Sequence, residues 1–151
     1  MKTLAVVCTG IIVSLLPGFS MATLGEQVSS SAKNLSSLKV AVSAKLSTEK
    51  YSVREYEDGG NTVREYADSS GLVFAVGWNG VSQPDLQALF GSYYQEYLDG
   101  LKTVPKQYGV KNISLKTTKM SIRRGGRMRD LRGFACVPSL VPEGVNVEEL
   151  K

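Results

Sequence analysis

The chain contains no histidine, and that absence removes more chemistry than any residue present adds. Histidine is the one side chain that titrates unperturbed near neutrality, and the commonest metal ligand. Ser-His-Asp and Cys-His catalysis are therefore excluded within this chain, as are zinc sites of the usual Cys/His type. Cysteine is nearly absent too, with only Cys8 and Cys136. Gly-rich phosphate loops of the P-loop or Rossmann kind do not occur. No apolar run reaches the roughly 20 residues that a spanning helix needs.

The longest apolar run is Leu4 to Leu16, which is free of charge. Lys2 precedes it, Pro17-Gly18 follows, and Ser20-Met21-Ala22 supplies small residues at a cleavage site. This is the layout of a secretory signal peptide. Residues 1–22 are expected to be removed, leaving a chain that starts at Thr23 and works in the periplasm or outside the cell, with no membrane anchor. Cys8 leaves with the signal, so Cys136 is expected to be buried as a small hydrophobe. The rest has the length of one domain, assigned to 23–137, with a loosely held tail over 138–151.

Periodicity then sets out the elements. Leu24, Val28, Leu35, Leu38, Val42 and Leu46 recur at helical steps and predict a helix over 24–46. Val53-Arg54-Glu55-Tyr56 recurs as Val63-Arg64-Glu65-Tyr66 around Asp58-Gly59-Gly60-Asn61. A turn at Gly59-Gly60 places Arg54 opposite Glu65, Glu55 opposite Arg64, and each tyrosine opposite a valine. Such cross-strand pairs contribute about 0.2–1 kcal/mol each, so the repeat reads as a device that fixes register. Asp68-Ser69-Ser70-Gly71 is a second turn. Leu72 to Trp78 is almost wholly apolar and predicts a central strand. Residues 83–99 predict a helix, with Ser82 and Asp85 as a capping arrangement, Gly91 as a close-packing position and Gly100 as a stop. Two further strands, 112–124 and 127–137, are expected to turn at Gly125-Gly126. The fold class expected is α+β. It comprises a three-strand antiparallel meander and a C-terminal hairpin, with an N-terminal and a central helix packed on the sheet.

The charge cluster lies in the last hairpin: Lys116, Lys119, Arg123, Arg124, Arg127, Arg129 and Arg132, with Asp130 the only acid among them. A turn at Gly125-Gly126 sets Arg124 against Arg127 and Lys119 against Arg132. Opposed like charges destabilise, so an anionic partner is expected there, either an envelope component or an acidic protein surface. No aromatic residue interleaves with the arginines, which argues against single-strand stacking, and export argues against intracellular nucleic acid. A second reading is a small-molecule pocket, or a carboxylate-dependent hydrolase site, between the central helix and the sheet, with Trp78, Tyr93, Glu96 and Tyr97 at its mouth. A third is a structural subunit of a surface assembly, using an exposed face of the 24–46 helix. Neither a metal nor a cofactor is implied, and no catalytic constellation stands out.

The segment Val63-Arg64-Glu65-Tyr66, then Gly71, Val73-Phe74-Ala75-Val76, Trp78 and Gly80, then Pro84-Asp85-Leu86, Leu89 and Gly91-Ser92-Tyr93, resembles a known pattern. It is similar to a family of small secreted proteins of Gram-negative bacteria defined as a domain of unknown function. The resemblance extends from Ala22-Thr23-Leu24-Gly25 to Gly125-Gly126, Met128, Gly133 and Pro138. It implies an exported setting and supplies no site residues.

Overall fold

The computed structural model describes residues 23–27, 42–47, 50–105 and 112–150. One antiparallel sheet of seven strands organises them, in the order β1-β2-β3-β4-β7-β6-β5. The strands are β1 (Val42–Ser47), β2 (Ser52–Asp58), β3 (Asn61–Ala67), β4 (Val73–Gly80), β5 (Ile113–Lys116), β6 (Ser121–Arg127) and β7 (Asp130–Cys136). The expected fold class is thereby corrected. The first meander has four strands and not three, the C-terminal hairpin is a three-strand unit, and β4 pairs with β7 to make one sheet. The predicted N-terminal helix also fails where it can be checked. Val42–Ser47 is a strand paired with β2, and residues 23–27 form a turn that ends in a bridge between Gln27 and Leu72. Residues 28–41 of that expectation lie outside the described residues, as do the expected signal segment and Cys8.

The β2–β3 hairpin has the register that its repeat predicts. Val53 faces Tyr66, Arg54 faces Glu65, Glu55 faces Arg64 and Tyr56 faces Val63. Gly59 and Gly60 take φ of 57° and 84°, the left-handed pair that a two-residue hairpin turn requires. Asp68 closes the next turn: its Oδ1 accepts the N–H groups of Ser70 (2.8 Å) and Leu72 (2.9 Å). Strand β4 lies at the centre of the seven, and its apolar residues are covered on both faces.

One face of the sheet carries the helical unit. It consists of α1 (Leu86–Phe90), a 3-10 turn over Gly91–Tyr93, and α2 (Tyr94–Thr103). Asp85 is itself the N-cap, its Oδ1 accepting from Gln87 and Ala88 N–H at 2.9 and 3.1 Å. Gly91 interrupts the helix at φ 48°, because Thr23 occupies the space of a side chain there: a Cβ would lie 2.8 Å from Thr23 Oγ1. Gly100 is not the expected stop. It sits inside α2, where a Cβ would meet Leu115 Cδ2 at 2.7 Å, so its lack of a side chain lets the helix approach β5. Leu24 is fully buried beside this unit, with its N–H bonded to Leu89 O at 3.0 Å. Leu24 therefore presents no sticky face of the kind that the assembly reading required.

The opposite face carries the C-terminal segment, which is packed rather than loosely held. Leu140, Val141, Val145, Val147 and Leu150 cover Tyr66, Phe74, Phe134 and Cys136. Tyr66 donates its hydroxyl to Leu150 O at 2.5 Å. Cys136 is a buried free thiol, and burial pushes its pKa up, which favours an inert packing role. Among the described residues, no helix is long and apolar enough to cross a membrane.

Candidate functional site

Strands β6 and β7 turn at Met128-Arg129, not at Gly125-Gly126. The two glycines are strand residues, opposite Arg132 and Leu131. Three constraints account for the register. Gly133 comes opposite Trp78, whose indole ring fills the space of a Cβ. Ile122 comes opposite Ala135 under the helices. No two cations oppose each other: Arg124 faces Gly133, Arg123 faces Phe134, and Arg127 faces Asp130. The expected like-charge confrontation of Arg124 with Arg127 and of Lys119 with Arg132 does not exist.

The seven basic residues do not form one cluster. Lys119 lies outside β6, with its Nζ 3.9 Å from Glu96. Arg123 pairs with Glu148 at 2.6 Å, and Arg132 with Asp130 at 3.0 Å. Arg124 points to the helical face, half-buried, with its guanidinium 5.8 Å from the Tyr97 ring centroid. Lys116, Arg127 and Arg129 remain, with no acidic partner among the described residues. Arg127 and Arg129 flank Met128, which is 88% exposed at the tip. Arg129 holds φ 65°, a left-handed backbone that non-glycine residues rarely adopt.

The four pocket candidates are not brought together. Trp78 and Tyr97 are 4% and 3% exposed, with Phe90 packed between their rings at centroid distances of 6.0 and 5.3 Å. They are core residues of the helix-sheet layer. Tyr93 and Glu96 line an open depression on the outside of α2. Glu96 accepts from Thr117 Oγ1 at 2.6 Å and from Lys119 N–H at 2.9 Å. The Thr117 bond, then the Lys119 backbone bond, holds its pKa below the usual range. A carboxylate committed in this way docks the helix on the β5–β6 turn and is not free for acid-base work.

Two features escaped the sequence reading. The first is that the two ion pairs of the β2–β3 hairpin are unlike. Glu55 and Arg64 pair at 2.5 Å on an exposed face. Arg54 and Glu65 pair beneath the surface, where Glu65 is 1% exposed and accepts a further bond from Tyr56 Oη at 3.0 Å. Burial raises the Glu65 pKa, against the pull of Arg54. Alternation carried this signal, because Arg54 shares its face with Tyr56 and Val63. The second is an open groove of about 500 Å³ on the face opposite the helices, between Arg64 and Arg132. Its signal was Gly77 inside an otherwise bulky strand.

A seven-stranded antiparallel sheet, covered by a broken helix on one face and by its own C-terminal segment on the other, defines a small sheet-centred domain. The chain belongs to the family described as protein of unknown function DUF2844, which matches residues 20–150. No curated protein and no solved structure matches it.

Proposed function

We propose that this is an exported accessory domain that docks through the β6–β7 tip onto an anionic layer of the cell envelope, with residues 1–22 as its removable signal. The observation that carries the reading is the tip itself. An exposed methionine stands between two arginines that lack acidic partners among the described residues, so an apolar side chain is offered to an interface while both neighbours meet its charge. The left-handed backbone at Arg129 adds support, because a strained residue persists where surrounding structure or use retains it. Basic residues at an anionic bilayer contribute about 1 kcal/mol each.

Sedimentation with phosphatidylglycerol vesicles, against phosphatidylcholine vesicles, tests the docking. Binding only to the anionic vesicles is expected, weakened by about tenfold or more in Arg127→Glu/Arg129→Glu. Equal binding by both forms overturns it. Export is tested separately by the mature mass in a Gram-negative host, with Thr23 expected at the new N-terminus.

A further inference from the structure

We propose that the groove over β4 is a binding site for an amphipathic organic anion, a carboxylate with an alkyl or aryl body. The site is distinct from the hairpin tip and stands whether or not the tip reading does. Its shape follows from three rows of residues that run across the sheet. In the middle row, Arg64, Gly77 and Phe134 lie side by side on β3, β4 and β7. Gly77 contributes no side chain, so a trough opens above the central strand. Its walls stand on β3 and β7, two strand spacings apart at about 10 Å, and the rings of Tyr66 and Phe134 border it. In the row on one side, Tyr66 lies beneath Leu150, and the C-terminal segment closes that end. In the row on the other side, Thr62, Asn79 and Arg132 leave the end open and polar.

The groove is therefore blind and apolar at one end, while Arg64 and Arg132, each paired with an acid at the surface, flank its open part. That gradient selects a ligand with a greasy body and a negative head. A volume of about 500 Å³ is within the usual range for small-ligand sites. Arg64 and Arg132 already hold Glu55 and Asp130, but both pairs are exposed, and exposed pairs contribute little. A bound carboxylate can replace either acid without leaving a buried charge. Thr62 and Asn79 offer hydrogen-bond donors beside them.

Calorimetric titration of the full chain with decanoate, decanol and acetate tests the proposal. Saturable one-to-one binding of decanoate is expected, with decanol weaker by about tenfold or more and acetate weaker still. Gly77→Leu should abolish binding while leaving the thermal midpoint near that of the parent. A Cβ at Gly77 meets Phe134 Cδ2 at 3.5 Å, an ordinary contact, and the backbone there is extended. If the leucine perturbs folding, Gly77→Ala and Arg132→Gln carry the same test, each weakening decanoate. Arg127→Glu/Arg129→Glu should leave decanoate binding unchanged, which separates this site from the tip. Absence of saturable binding, equal affinity for decanol, or full binding by a folded Gly77→Leu protein would each overturn the proposal.

Discussion

The two glycine-marked hairpins of this chain handle charge in opposite ways. In β2–β3, every charge of the repeat meets its opposite on the neighbouring strand, and the turn falls on the glycines. In β6–β7, Arg123 and Arg132 pair with acids outside the hairpin or along their own strand, Arg127 and Arg129 pair with none among the described residues, and the turn avoids the glycines. The first hairpin is specified by its own residues. The second is specified by what packs on it: Trp78 over Gly133, and the helices over Ile122 and Ala135. A register that sets arginine against arginine is better read as a disfavoured register than as a demand for a ligand.

The sharpest way to break this contrast is at the buried pair. Arg54→Met leaves Glu65 1% exposed without its cation, and a loss of about 3–5 kcal/mol is expected by chemical denaturation. Adding Glu65→Gln, which keeps an acceptor for Tyr56, should recover most of that loss. The pH dependence has a definite sign. Burial raises the folded pKa of Glu65 above the ordinary carboxylate range. Its favourable contribution is thus complete below the ordinary carboxylate pKa and is lost as pH rises through the raised value. The Arg54→Met deficit should therefore shrink on acidification. A deficit independent of pH would remove Glu65 from the explanation.

The next effect belongs to the externally specified hairpin. Gly133→Ala puts a methyl group into the Trp78 ring and should destabilise by about 1–3 kcal/mol, with a shift in Trp78 fluorescence. Gly125→Ala meets Asn112 instead, a side chain at the sheet margin, and should do less. Equal effects would mean that Trp78 does not set the register.

This difference also explains what could be read in advance. The β2–β3 register was legible because its determinants are local: opposed charges and a left-handed turn. The Met128-Arg129 turn was not, because its determinants come from β4 and α2, separate elements that end at Gly80 and Thr103. Gly91 was legible as a close-packing position but not its neighbour, Thr23, and Gly100 was read as a helix stop although it answers a distant residue, Leu115. At 42–46 the predicted helix gave way because Val42 and Leu46 suit a strand as well as a helical stripe, and pairing with β2 decides between them. The cations were countable, but their division between two sheet faces depended on the register. The groove required the C-terminal segment to close one end, which composition does not reveal.

Arg129→Gly should sharpen the contrast from the other side. Releasing a left-handed non-glycine residue is expected to stabilise the fold by about 0.5–1 kcal/mol, less than either loss above. The same change removes a tip cation, so vesicle binding should fall as the thermal midpoint rises. Movement of both in the same direction would show that the strain has nothing to do with docking.

The smallest effect is expected at Arg123→Gln, and its smallness is informative. Arg123 and Glu148 are as close as many strong pairs, at 2.6 Å, but their side chains are 43% and 64% exposed. Water and salt screen them, and exposed pairs are worth about 0–1 kcal/mol. The variant should lose no more than this, and the loss should vanish in about 1 M salt. The Arg54→Met deficit should persist under the same conditions, because burial shields that pair from mobile ions. Separation between the two sites therefore rests on depth and not on distance. A salt-resistant loss at Arg123 as large as that at Arg54 would make the two hairpins equivalent, and the tip would then owe its free arginines to nothing more than the supply of acids nearby.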